Sequence, residues 1–166
     1  RSDLLKQRAT GIVPDVDDAT SVLFANGHKF EDQAREWASE IIGKPLKPMV
    51  VSAVIDGLPL SASYDGATKV GGPIWEHKTL SESLAKSLDA GVIPDQYKPQ
   101  MVQQMMIIGA TKCLFMASNG SRETMRYAWY EYDFAKGAKV IAAWQQFVKD
   151  FDAYKHVEVL PPVSAA

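Results

Sequence analysis

The chain has 166 residues, 46% of them hydrophobic and 23% charged, with a formal net charge of −2. That is the length of one domain with a sizeable core and the composition of an ordinary globular protein, and it excludes the broadly basic surface that marks general nucleic-acid binders, so any such function must come from local sites. No apolar run approaches the roughly 20 residues of a membrane span, no signal peptide is visible, and the single cysteine, Cys113, leaves no disulfide framework or cysteine metal site. A cytoplasmic protein is the expectation, and the opening on Arg1 rather than methionine predicts an incomplete N-terminus.

In chain order, a polar opening leads into Asn26 to Lys44, where Phe30, Ala34, Trp37, Ala38 and Ile41 form one helical stripe ending at Gly43. "MVVSAVI" and "LPLSASY" flank Asp56-Gly57, a strong two-residue hairpin signal. A third strand, "IWEHKT", follows two glycines and a proline. Thr79 and Glu82 have capping-box spacing for a short helix ending near Gly91. A further helix runs through "QYKPQMVQQMMIIG", with Pro99 tolerable only in its first turn. "KCLFMAS" and "TMRYAWYEYD" make two strands around the turn "NGSRE". The last helix, Ala135 to about Lys155, carries Val140, Trp144, Phe147, Val148 and Phe151 on one face. This order predicts an α/β fold with a central mixed five-stranded sheet flanked by helices, a single domain over 1–166 with a flexible tail at 161–166.

The chemistry concentrates in the third strand. Successive strand side chains alternate faces, so Glu76 and Lys78 share a face with Ile74, while Trp75, His77 and Thr79 take the other. A Glu-x-Lys triplet alone is weak evidence, equally explained by a cross-strand or edge salt bridge, and it needs structural context. The preceding strand supplies it. In "LPLSASYDG", Leu58, Leu60, Ala62 and Tyr64 alternate onto one face, leaving Ser61, Ser63 and Asp65 on the other. Antiparallel pairing through "GATKVGGP" brings Asp65 near Glu76. Two carboxylates that close repel unless a cation neutralises them, and oxygen ligands select a hard ion, Mg²⁺ or Mn²⁺, which keeps waters and bridges to phosphates. Two acids and a lysine around such an ion form a phosphodiester-cleaving set. The cation polarises the phosphate and makes hydroxide from bound water, while the ammonium orients that water and stabilises the developing charge.

These residues resemble the Asp…Glu-x-Lys signature of the PD-(D/E)xK nuclease superfamily. The segment "IPDQYKPQMVQQMMIIGATKCLFMASN" is similar to that of the lambda-exonuclease and YqaJ-type family in which a Tyr-x-x-Gln helix leads into a strand, and "GHKFEDQAR" resembles that family's Gly-x-x-x-Glu-x-x-Ala-Arg helix. The likeness covers about residues 27 to 132 in the family's order. It implies that Asp65 and Glu76 are metal ligands with the His77 backbone carbonyl, that Lys78 is the catalytic lysine, and that Glu31 is an extra acid supporting the metal. Gln100, one helical turn after Tyr97, would hold the water or scissile phosphate. Tyr97 would face the substrate, and Ser63 would contact phosphate in the same pocket. Ser2, in "RSD", matches a serine at the family's 5′-end grip, whose upstream arginine this chain lacks; Tyr64 stands where the signature often has proline.

The implied activity is a Mg²⁺-dependent, alkaline-type 5′-to-3′ exonuclease with two ions per site, Mn²⁺ substituting. It would degrade one strand of duplex DNA to leave 3′ single-stranded overhangs for an annealing protein in bacteriophage or prophage recombination, inside the bacterial host cytoplasm. The family also implies a homo-oligomer, commonly a trimeric ring threaded by DNA, whose channel Lys44, Lys47, Lys69 and Lys98 would line. The alternatives are a nicking or restriction-type endonuclease of the same superfamily and a catalytically silent DNA-binding or assembly module; the intact Asp, Glu and Lys argue against the latter.

Other residues have plainer explanations. The His77 ring points away from Glu76 and Lys78. His28 and Glu31 lack the second histidine of a zinc helix, which leaves His28 solvated in a first turn. Glu31 alone reads as an i,i+4 partner of Arg35. Met101, Met105 and Met106 read as core or subunit packing, Cys113 as a buried thiol, and Gly71-Gly72 as a turn. Tyr97, Gln100 and Gln104 lie on one polar stripe of the helix, yet Gln103 and Gln104 are expected to be surface or interface groups rather than catalysts.

Overall fold

The computed structural model describes residues 2–11 and 18–154, with side chains over 3–11 and 27–154. The elements in order are α1 (Ser2–Thr10), α2 (Asp18–Ile42), β1 (Lys47–Ile55), β2 (Leu58–Ala67), β3 (Ile74–Thr79), α3 (Glu82–Asp89), a 3₁₀ turn at Asp95–Tyr97, α4 (Lys98–Ile108), β4 (Lys112–Ser118), β5 (Arg126–Glu131) and α5 (Phe134–Ala153). The five strands form one sheet in the order β1-β2-β3-β4-β5, antiparallel except for β3 and β4. This is the mixed five-stranded α/β architecture expected from the element order. The tail at 161–166 lies outside the described residues. No helix among those described is long and apolar enough to cross a membrane.

Each local signal acts through its own physics. Asp56 and Gly57 both adopt positive φ, 49° and 77°, as a tight hairpin between twisted strands requires. Pro99 sits in the first turn of α4, where its missing N–H has no helical acceptor to lose. The cap of α3 is not Thr79, which closes β3, but Ser81, whose Oγ accepts from the Leu84 N–H. Glu82 turns outward to Lys86 at 2.8 Å instead of back to a cap.

The sheet is covered on both faces. On one, Met101, Met105 and Ile108 of α4 and Leu84 and Leu88 of α3 pack on Tyr64, Ala67, Ile74, Cys113, Phe115 and Ala117. On the other, Ala34 and Ala38 of α2, with Trp37 and Ile41 at the margin, pack on Trp75, Leu114 and Met116. The sandwiched strands β3 and β4 are buried along nearly their whole length, as strands covered on both sides must be. The stripe of α5 is used only in part: Trp144 joins a third cluster with Leu58, Leu60 and Ile107, whereas Val148 and Phe151 are exposed. Met106 packs on that cluster while Met101 and Met105 are fully buried.

Strict alternation fails at one place in β2. Lys47 pairs with Ala67 but Met49 pairs with Tyr64, so three steps along β2 oppose two along β1. The surplus is a β-bulge at Asp65 and Gly66, and it lets Tyr64 and Ala67 both face α4. Gly66 faces the other way, where a Cβ would lie 3.0 Å from Leu46 and from the Trp75 ring. Asp65 is therefore aimed by a bulge rather than by the simple alternation that placed it with Ser61 and Ser63.

Candidate active site

β2 and β3 pair only through Gly66 with Trp75 and Ala67 with Ile74. Beyond those pairs stand Asp65 and Glu76, brought together as the antiparallel connection predicts. Asp65 Oδ2 accepts from the His77 backbone N–H at 2.7 Å, fixing its carboxylate against β3.

Glu76 is 1% exposed, so its carboxylate must find donors. Lys78, two residues along on the same face, donates from Nζ to Oε1 at 2.5 Å. Gln100, from α4, donates from Nε2 to the same oxygen at 2.6 Å, and its Oε1 accepts from Lys78 Nζ at 3.2 Å. These three side chains close a ring of hydrogen bonds. Tyr97 stands beside it, its ring centroid 5.8 Å from Lys78 Nζ and 5.1 Å from that of Phe115.

Gln104 corrects the sequence expectation. It is no surface group but 3% exposed, donating to Glu76 Oε2 at 2.7 Å and to the Ser63 carbonyl at 3.0 Å. The signal was its place on the stripe with Tyr97 and Gln100; what the stripe could not show was that the strip of sheet below it carries a buried carboxylate. Gln103 is half-buried outside the site, its Oε1 accepting from Trp144 Nε1 of α5 at 2.7 Å.

On the other side, Arg35 of α2 donates from Nε to the Asp65 carbonyl at 2.9 Å and from a second nitrogen to Glu31 Oε1 at 2.7 Å. Glu31 thus makes the i,i+4 pair and also lines the pocket. His28 lies 3.7 Å from Glu31 Oε2. It is not in a first turn, because α2 begins at Asp18. Gly27, His28, Glu31, Asp65, Glu76, Lys78 and Gln100 border one pocket of about 400 Å³. Ser63 is not in it: this exposed serine borders a neighbouring groove between β2, α4 and α5 that shares Gln100. The side chain of Ser2 lies outside the described residues.

Burial pushes the Asp65 carboxyl up to about 7, the charge of Glu76 reinforcing burial and Glu31 adding to it. The His77 N–H and the Lys78 charge favour ionised Asp65 but are outweighed, and a hard cation beside it would supply the missing positive charge. Asp65 and Glu76 are suitable oxygen donors. Among the described residues no three His, Cys, Asp or Glu side chains form a cage, so an ion here would take a carboxylate pair and complete its shell with backbone oxygen and water, as Mg²⁺ commonly does.

The His77 ring lies on the opposite face of β3 from Glu76 and Lys78, beside Trp75, with Ser118 Oγ 2.8 Å from Nε2. Burial, with Lys78 and Arg35 adding, lowers its pKa from 6.5 to about 4. Between those values an unfolded chain takes up a proton that the folded chain refuses, so this group's contribution to stability is present above pH 6.5 and declines as the pH falls toward 4. His77→Gln should flatten the acid side of a melting-temperature profile by the equivalent of roughly 3 kcal/mol. Parallel profiles for the two proteins would contradict this.

No protein-family model matches the sequence, and no curated protein matches it significantly. Among solved structures, the alkaline exonuclease LHK-Exo from Laribacter hongkongensis is similar with a TM-score of 0.71 at 23% identity, over 92% of this chain and 77% of that one. LHK-Exo in complex with dAMP gives 0.74 at 22% identity over the same shares. SSO0001 is more distant, with a TM-score of 0.51 at 11% identity over 86% and 67%. What these likenesses establish is the fold: the chain has the α/β core seen in the alkaline exonuclease LHK-Exo, and Asp65, Glu76, Lys78 and Gln100 gather at one pocket of it.

Proposed function

We propose that the chain is a Mg²⁺-dependent deoxyribonuclease, a 5′-to-3′ exonuclease that degrades one strand of duplex DNA and leaves a 3′ single strand. The observation that carries this reading is the buried Glu76 carboxylate, joined on Oε1 by Lys78 and Gln100 and set beside Asp65 across the parting of β2 and β3. The exonuclease fold supports it, as does the binding of dAMP, a deoxynucleoside monophosphate, by the structural neighbour.

Asp65 and Glu76 would hold the ion with the His77 carbonyl, and Glu31 would support it; Mn²⁺ would substitute, and a second ion per site belongs to the same reading. When bound, the metal supplies Lewis-acid polarisation of the phosphate and a water of lowered pKa. Lys78 keeps a compact positive charge at Glu76, where it can orient the attacking water and offset charge growing on the phosphorus oxygens. Gln100 can accept from that water or donate to the phosphate. The water oxygen bonds to phosphorus as the 3′ oxygen of the neighbouring nucleotide departs with a proton. Tyr97 would wall the substrate side. Ser63 would contact DNA only from the adjoining groove, and Ser2 would act at the 5′ end.

The same reading makes the product the substrate of a single-strand annealing protein in phage-type recombination within a bacterial cytoplasm, and the enzyme a homo-oligomeric ring, most simply a trimer. The test uses linear and covalently closed circular duplex DNA with Mg²⁺ or with chelator. Loss of linear DNA alone, only with Mg²⁺ and from the 5′ end, is the expected result. Cutting of the circle would make the protein an endonuclease, and chelator-resistant cleavage would remove the metal.

A further inference from the structure

We propose that Gln104 is a positioning residue that sets the gap between β2 and β3 and thereby the orientation of Glu76; this rests on the metal-nuclease reading. The ladder between the two strands ends at Gly66 and Trp75. Past that point the strands part, tied to each other by the Asp65 carboxylate on the His77 N–H and, from α4, by one side-chain amide nitrogen that reaches both. Gln104 Nε2 lies 2.7 Å from Glu76 Oε2 on β3 and 3.0 Å from the Ser63 carbonyl on β2. The main chain of the same residue is tied down as well, its carbonyl accepting from the Tyr64 hydroxyl at 2.7 Å. Helix and both strands are thus locked through one residue, beside the bulge that aims Asp65.

The amide orientation is fixed by chemistry. Both neighbours of Nε2 are acceptors, and turning the amide over would set oxygen against oxygen at each. In this orientation Gln104 Oε1 is buried without a hydrogen-bond partner. Leaving an acceptor so is destabilising, a cost set against the two acceptors, Glu76 Oε2 and the Ser63 carbonyl, that Nε2 satisfies. Its reason lies in its two donor hydrogens. Gln104 takes Oε2 of Glu76 while Lys78 and Gln100 take Oε1, which leaves the carboxylate no freedom to rotate. Groups that orient a metal-holding carboxylate from behind typically govern 10- to 100-fold in metal affinity or activity.

The test compares Gln104→Met and Gln104→Leu with the unmodified chain; the flexible thioether can fill the space if the branched side chain disturbs packing. Mn²⁺ binding is measured by calorimetry without DNA, alongside melting temperature and cleavage of linear duplex across a Mg²⁺ series. Expected are a cooperative transition with the melting temperature lowered by several degrees, because Glu76 Oε2 loses its donor, Mn²⁺ affinity about 10- to 100-fold weaker, a matching rise in the Mg²⁺ needed for half-maximal rate, and little change in KM for DNA. Unchanged Mn²⁺ affinity in either folded variant overturns the proposal, whatever happens to the rate, because the residue would then serve packing alone. An unmodified chain that binds no Mn²⁺ and cleaves no DNA overturns the metal-nuclease reading and the positioning role together, whereas normal binding in all three proteins sinks only the latter.

Discussion

Asp65→Asn and Glu76→Gln should each abolish Mg²⁺-dependent cleavage, but with opposite effects on the metal-free protein. Burial and two neighbouring carboxylates raise the Asp65 carboxyl to about 7. Its folded pKa thus exceeds the unfolded value, so its ionisation removes stability as the pH rises from about 4 to about 7. The amide keeps an oxygen for the His77 N–H while discarding the charge, and Asp65→Asn should therefore raise the melting temperature at pH 8 without metal. Glu76 is different: it is the shared acceptor of Lys78, Gln100 and Gln104. Glu76→Gln keeps the size but removes the charge those donors converge on, and an amide cannot accept at both terminal atoms. It should lower the melting temperature by several degrees as well as the rate. Thermal melts with and without Mg²⁺, run beside the cleavage assay, check both. Undiminished cleavage by either variant would remove that residue from the metal site.

How far the sequence could go is visible in these same residues. Glu76 and Lys78 are legible because strand alternation fixes which side chains share a face, and Asp65 because the short antiparallel connection sets it opposite Glu76. The bulge was not legible, since "SYDGA" reads equally well as an unbroken strand, and only pairing with β1 shows the extra step. Gln104 belongs to a helical stripe that the sequence shows, but its role depends on α4 crossing β2 and β3 where the strands part, a tertiary contact that no local pattern encodes. Arg35 showed its helical partner Glu31 and hid its contact with the Asp65 carbonyl, thirty positions away. The helix α2 also starts earlier than the stripe from Phe30 indicates, at Asp18.

Lys78 carries the other large expected effect. Its ammonium is 2.5 Å from Glu76 Oε1, 3.2 Å from Gln100 Oε1 and 5.8 Å from the Tyr97 centroid. It is 28% exposed, against 2% for the Glu76 side chain, so it is the member of the pair that can reach a substrate. Lys78→Ala should reduce single-turnover cleavage by roughly 10² or more, the usual consequence of losing one electrostatic stabiliser. Mn²⁺ binding should be largely kept, because the carboxylates remain and Gln100 and Gln104 still hold Glu76. Lys78→Arg separates charge from shape. Arginine preserves the positive charge but spreads it over a planar fork, and with Tyr97 and Gln100 flanking the ammonium that fork cannot place its charge where the compact group stood. It should therefore be poor as well, without loss of melting temperature. An arginine variant with full single-turnover rate would mean that Lys78 serves only to neutralise Glu76, and that the positive charge acting on the phosphate comes from elsewhere.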